Sequence, residues 1–205
     1  PSKPKKEMLT VAEAEKIILE NTISPENEAI KIENAIDRVL AEDLRADRDF
    51  PPFDRVTMDG IAINFESFNE NYTSFPVEST SPAGSKQLTL QNHKNCIEVM
   101  TGTMLPIGTD TVIRYEDLEV KNYISTITNS PLGAGGNIHN QGLDRKEGEI
   151  IVGKGRKLSA AEIGVAATVG KSEILVLKKI KVIIISTGDE IIPISEKPEK
   201  HQIRT

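Results

Sequence analysis

Apolar residues recur at helical spacing near the start of this chain and at strand spacing through its middle. Thr10 and Glu13 have the spacing of a capping box, and Val11, Ala14, Ile17 and Ile18 form one stripe. Together they predict a helix from Thr10 to about Asn21. Ser24-Pro25 ends it, and the run at 33–40 predicts a second short helix. After an extended approach through Pro51 and Pro52, Ile61-Ala62-Ile63 begins a strand. Short β-prone runs follow at 97–100, 111–115 and 123–128, separated by turn clusters at 81–84, 106–108 and 129–131, the pattern of a small all-β unit.

The glycine-rich stretch 132–142 lacks the lysine and the strand-to-helix context of a nucleotide P-loop. A strand is expected at 149–152. Ser159 and Glu162 form a second capping box, opening a helix that ends at Gly170. Gly164 within it costs about 1 kcal/mol relative to alanine, so packing is expected to demand a small residue there. Another strand follows at 174–177. The continuous apolar run 182–185 reads as a central strand of a parallel sheet. Parallel strands need crossovers of about a dozen residues or more. Only twenty residues follow Ile185, so a further domain is expected to begin here and be cut short.

Composition narrows the function classes. Hydrophobic residues make up 38% and aromatics 4%, with no tryptophan, so the core must be built from isoleucine, valine and leucine. The net charge of −6 gives no basic footprint for nucleic acid. The lone Cys96 cannot form an internal disulfide and is expected to be a small buried strand residue in a reducing compartment. No apolar run approaches the ~20 residues of a membrane span, and no secretory segment precedes the first helix, so the expectation is a soluble cytoplasmic protein. Asn71-Tyr72-Thr73 fits a glycosylation acceptor, which matters only on secretion.

The stretch 50–63, FPPFDRVTMDGIAI, is the densest in chemistry. Gly60 permits a sharp turn just after Asp59, which would hold the carboxylate at the turn's mouth. On turn chemistry alone this is a surface turn. As a sequence, however, it resembles the P-x-F-D-x-S-x-M-D-G motif of the molybdopterin molybdenumtransferases, the MoeA family that includes the gephyrin E domain. Thr57 stands at a position where small residues are usual, and Ile61 replaces an aromatic. Ala35, Arg38, Val39, Leu40, Ala41 and Asp43 match a family stretch just upstream, with Asp37 where glycine is common.

Laid on this chain, the resemblance implies four active-site residues. Asp59 lies in the Met-Asp-Gly motif. Thr101 lies in Val99-Met100-Thr101-Gly102, similar to the family's I-M-T-G turn. Asp144 follows Gly142-Leu143, where the family often has G-E-D. Glu190 closes Ser186-Thr187-Gly188-Asp189-Glu190, similar to S-T-G-D-E. Read without the resemblance, the first three are turn and loop groups. Glu190 follows the carboxyl end of the expected parallel strand, where open α/β sheets place ligands. The implied reaction is Mg2+-dependent insertion of molybdenum from molybdate into adenylylated molybdopterin with release of AMP. Carboxylates suit hard Mg2+ on phosphate oxygens, which makes Asp59, Asp144 and Glu190 the metal-ligand candidates, and one of them would instead orient a water. The pterin supplies the sulfurs, so no protein cysteine is required. The loop 139–143 departs from the family: His139-Asn140-Gln141 stand where arginines, natural partners of phosphate or molybdate, are common, and Leu143 replaces an acidic residue.

The expected architecture is mainly β with a few helices, an elongated region like the MoeA N-terminal part. Residues 1–50 form a helical segment and connector, 51–147 an inserted β domain, 148–179 a return segment packing on the first, and 180–205 the start of an α/β molybdopterin-binding domain. The resemblance further implies a homodimer and the upstream adenylylating protein of the pathway as a partner, and no membrane or nucleic-acid partner is expected. Two other readings stand beside the enzyme: a non-catalytic dimerisation or lid module, and a paralogue binding another nucleotide-linked ligand.

Overall fold

The structure is a computed structural model, and it describes residues 9–69, 73–129 and 133–204. The lysine-rich start, Asn71 and Tyr72 of the glycosylation pattern, and Ser130-Pro131-Leu132 lie outside the described residues. The first capping box forms as expected. The Thr10 hydroxyl accepts the Glu13 amide at 3.3 Å, and the Glu13 carboxylate accepts the Thr10 amide at 2.8 Å, opening α1 (Val11–Glu20). Its apolar stripe covers no core among the described residues, and Val11 is 87% exposed.

A five-residue strand that the sequence reading missed follows, β1 (Asn27–Lys31). The helix expected over 33–40 does not form. A single 3-10 turn spans Ile32–Asn34, and Asp37 then takes a left-handed φ of 63°, which ends any helical run. The backbone beyond it is claimed by distant strands: Asp37 N donates to Leu158 O, Leu40 N to Arg156 O and Ala41 N to Leu175 O, each at 2.9 Å. Tertiary pairing overrides helix propensity here. The next strands are β2 (Leu44–Arg45), β3 (Arg55–Val56) and β4 (Gly60–Ile63), and a short helix α2 (Phe65–Asn69) follows.

The largest sheet is completed by β5 (Ser74–Ser81), β6 (Cys96–Val99), β7 (Thr111–Arg114), β8 (Leu118–Lys121) and β9 (Ile124–Ile127), in the order β7-β4-β6-β5-β9-β8. All neighbours are antiparallel except β5 and β6. Alternation along each strand builds a core on both faces. On β4, Ala62 packs with Val56, Ile97 and Val112 on one side, while Ile61 and Ile63 pack with Phe75, Cys96 and Ile113 on the other. Cys96 is fully buried, as expected of a small strand residue.

The chain returns through β10 (Ile138–His139), β11 (Ile150–Val152), α3 (Ala160–Thr168) and β12 (Glu173–Leu177). β12 pairs with β1 over five residues and β11 with β2, so both ends of this stretch share a core of Ala35, Leu40, Leu44, Leu158, Ala166 and Val176. Helix α3 opens on the second capping box. Gly164 within it is not demanded by packing, since a Cβ there would meet nothing within 4 Å. Beyond, β13 (Ile191–Ile192) and β14 (Ile203–Arg204) pair in parallel. The run 182–185 forms no strand among the described residues, and Ile184 is 88% exposed. The expected central strand therefore finds no partners here. The fold is mainly β with three helices among the described residues.

Candidate active site

The placement of Asp59 begins with Gly60, for a different reason from the sharp turn its sequence suggests. Gly60 is the first residue of β4, and its φ lies outside the left-handed region. A Cβ on it would sit 1.9 Å from the Ile113 carbonyl oxygen and 2.8 Å from Arg114 Cα. Glycine is needed because β4 and β7 approach backbone to backbone. That approach carries the ladder one step past β4, where Tyr115 N donates to Asp59 O at 3.1 Å.

Asp59 is thereby held against the turn after β6. Its Oδ1 accepts the Thr101 amide at 2.6 Å and the Thr101 hydroxyl at 2.7 Å. The amide first, and then the hydroxyl, hold the Asp59 carboxyl below the usual aspartate range, against a small opposing effect of burial. Among the described residues Oδ2 has no hydrogen-bond partner. The turn itself is anchored from below. Gly102 N donates to Val56 O at 2.9 Å, Val56 N donates to Thr103 O at 3.0 Å, and the Thr103 hydroxyl meets the Ser81 hydroxyl at 3.0 Å in the interior. An exposed, ionised carboxylate with one oxygen fixed and one open suits binding a cation or orienting a water.

Asp144 belongs to a second cluster. Residues Arg55 and His139 face one another across the β3–β10 pair. One guanidinium nitrogen of Arg55 lies 3.5 Å from His139 Nδ1, and His139 Nε2 lies 3.0 Å from Asp144 Oδ1. The loop is clamped to the start of the motif: Gln141 N donates to the Asp54 carboxylate at 2.8 Å, Gly142 N to Pro51 O and Asp144 N to Phe50 O, both at 2.9 Å. Arg55 and Asp59 are four positions apart in the sequence, at most about 14 Å of extended chain. The structure thus brings Asp59 and Thr101 into contact and places Asp144 in the neighbouring cluster.

Glu190 makes no hydrogen bond or ion pair with any of these three. It sits before β13, where its carbonyl accepts the Ile203 amide at 2.7 Å. Its carboxylate lies over Gly188, where a Cβ would come within 2.5 Å of Oε2. Among the described residues no three His, Cys, Asp or Glu side chains gather to hold a metal ion. The carboxylates Asp59, Asp144 and Glu190 therefore do not form a shared metal cage within this chain.

Sequence reasoning missed Tyr115, Glu98 and Arg55. Glu98 opposes Ile61 in the β4–β6 register, and Asp59 lies two residues before Ile61, so both carboxylates share one face of the sheet. The Tyr115 hydroxyl donates to Glu98, which also accepts the Thr80 hydroxyl at 2.6 Å. Burial and then the bond to Glu98 push the Tyr115 phenol well above its ordinary range, so it stays a neutral donor. The pairing register carries this information, and no local motif announces it.

Residues 9–170 match the family described as the MoeA N-terminal region (domain I and II). The chain is 35% identical over 198 residues to a molybdopterin molybdenumtransferase of Synechocystis, covering 96% of this chain and 51% of that protein. It is 31% identical to the molybdopterin molybdenumtransferase of Staphylococcus epidermidis, covering 98% of this chain and 48% of that one. A solved molybdopterin biosynthesis MoeA protein from Pyrococcus horikoshii superposes with a TM-score of 0.80 at 32% identity, over 96% of this chain and 51% of that one. The chain spans about half the length of the curated relatives it matches.

Proposed function

Because this chain belongs to the family of the MoeA N-terminal region, we propose that it is the N-terminal region of a molybdopterin molybdenumtransferase acting in molybdenum-cofactor biosynthesis. The reaction is insertion of molybdenum from molybdate into adenylylated molybdopterin, with release of AMP. The observation that carries the reading is the Asp59–Thr101 contact. Two motifs 42 residues apart converge on one exposed carboxylate that hydrogen bonds keep ionised.

The charge of Asp59 is its functional element. It would orient a water by accepting a hydrogen bond from it, or would supply one carboxylate ligand to Mg2+, a cation that takes one or two carboxylates alongside phosphate oxygens and water. When bound, Mg2+ would neutralise charge on the phosphoanhydride as it breaks. Thr101 fixes the carboxylate through the amide and hydroxyl already described. Asp144 acts through the Arg55–His139 cluster. Glu190 belongs to the segment 180–205, which we assign to the start of the pterin-binding domain. The exposed apolar run at 182–185 supports that assignment, since such a run calls for neighbouring strands. The working enzyme is read as a cytoplasmic homodimer, and residues 1–205 alone as inactive in cofactor synthesis.

Asp59→Asn in the full-length enzyme tests the reading. Asparagine keeps the shape and the turn chemistry of aspartate but not its charge. Molybdenum insertion is expected to fall ~10²-fold or more, the scale of a positioned acid–base group, with thermal unfolding unchanged. Near-normal turnover at unchanged stability would return Asp59 to a purely structural role.

A further inference from the structure

Arg55 is a half-buried cation without a counter-charge. Among the described residues no carboxylate forms an ion pair with its guanidinium, and its one side-chain hydrogen bond is to His139 Nδ1 at 3.5 Å. Neighbouring cations are engaged differently. The Arg145 guanidinium donates to Asp144 O at 2.8 Å, and Lys146 pairs with Asp49 at 3.6 Å. The nearby carboxylates are also committed, Asp54 to the Gln141 amide, Asp49 to the Glu147 amide and Asp144 to His139. Partial removal of a charge from water without a partner is unfavourable, so a half-buried guanidinium with no carboxylate on it favours an anion beside it.

The geometry also fixes how the guanidinium is presented. Arginine is a donor at every nitrogen, so Nδ1 of His139 must be the acceptor. The ring proton then sits on Nε2 and donates to Asp144 Oδ1. This orients the ring from one side and Arg55 from the other, while Asp144 N is itself tied to Phe50 O. One of the five guanidinium N–H groups is spent on His139, leaving enough of the planar fork to grip two oxygens of one anion.

We propose that Arg55 is an oxyanion subsite, with His139 and Asp144 as its positioning residues, and that its ligand is a tetrahedral oxyanion. The chemistry is shared by a phosphoryl group of a nucleotide-linked substrate and by free molybdate. This assignment rests on the proposed function for its ligand class and adds a residue and a role to it. It gives Asp144 work that does not require a metal: holding the tautomer that aims Arg55.

The test titrates the 205-residue chain with sodium molybdate, inorganic phosphate and AMP in separate arms, by calorimetry and by chemical-shift perturbation of the Arg55 and His139 side chains. Arg55→Gln is expected to weaken binding about tenfold or more, the scale of a lost charge-assisted bidentate contact. Arg55→Lys, which keeps the charge without the fork, should fall between the two, and Lys121→Gln on distant β8 should bind as wild type. For the positioning role, Asp144→Asn retains an acceptor for Nε2–H and should bind close to wild type, whereas Asp144→Ala should weaken binding. Dependence on Arg55 in the molybdate arm alone assigns the subsite to the free oxyanion. Dependence in the phosphate and AMP arms assigns it to the phosphoryl group. No binding in any arm, or binding that Arg55→Gln and Arg55→Lys leave unchanged in folded protein, overturns the proposal. That result is independent of turnover by Asp59→Asn, so the subsite and the proposed reaction fail separately.

Discussion

Replacing Gly60 with alanine tests the packing that presents Asp59. The added methyl carbon would lie 1.9 Å from the Ile113 carbonyl oxygen, where ordinary contact begins at about 3.4 Å. Strands β4 and β7 must therefore part locally by about 1.5 Å, because the obstacle is backbone and no rotamer relieves it. Forced overpacking costs about 1–3 kcal/mol. Losing one or two bonds of the ladder, including that from Tyr115 N to Asp59 O, adds about 1 kcal/mol each. The sum, about 2–5 kcal/mol, should lower the melting temperature by roughly 5–15 °C in a chain of this size. Calorimetry or circular-dichroism melting reads this directly. Gly153→Ala is the control, since a Cβ there meets nothing within 4 Å. A second readout follows the site. As the strands part, Asp59 loses the Tyr115 amide that holds its backbone beside the Thr101 turn, so its carboxyl should titrate closer to the ordinary aspartate value by NMR. A melting temperature within about 1 °C of wild type, with the Asp59 titration unmoved, would refute the close-approach argument.

Three further outcomes follow from the same structure. Burial pushes the Cys96 thiol up to about 12, so it should resist a thiol reagent at neutral pH in the native protein and react fully once the chain is unfolded in urea. Ser159→Ala removes the cap of α3 and should cost about 1 kcal/mol at neutral pH by chemical denaturation. The Ser159 hydroxyl, then its amide, hold the Glu162 carboxyl down to about 2. A depressed carboxylate contributes stability above its unfolded value near 4.5 and loses it as pH falls toward 2, so the gap between wild type and variant should narrow across that window. Gly164→Ala, with open space around it, should stabilise the protein by about 0.5–1 kcal/mol. A destabilised variant would show that something covers this face of α3.

Several elements were determined by the sequence alone because their causes are local. The two capping boxes place a hydroxyl and a carboxylate three residues apart, and both helices begin where those pairs stand. The strands at β6, β7 and β9 announced themselves by β-prone runs between turn residues, and the buried Cys96 followed from its place in one of them. Asp59 and Thr101 stand in stretches whose likeness to the family's motifs is a property of the sequence alone.

Tertiary structure decided what depends on partners far away in the chain. Residues 33–40 look helical by composition, yet Val39 and Leu40 are bridged to Lys157 and Val176, so their backbone bonds are satisfied elsewhere. The run 182–185 looks like a buried strand, yet a strand needs neighbours to pair with, and none forms among the described residues. Gly60 reads as a turn residue until the Ile113 carbonyl is seen against it. The contact of Asp59 with Thr101 spans 42 residues, and that of Arg55 with His139 spans 84. Both exist only because strand register brings those backbones together, and a shift of one residue would turn each side chain to the opposite face. Local chemistry can name a helix cap, but register alone decides which charged groups meet.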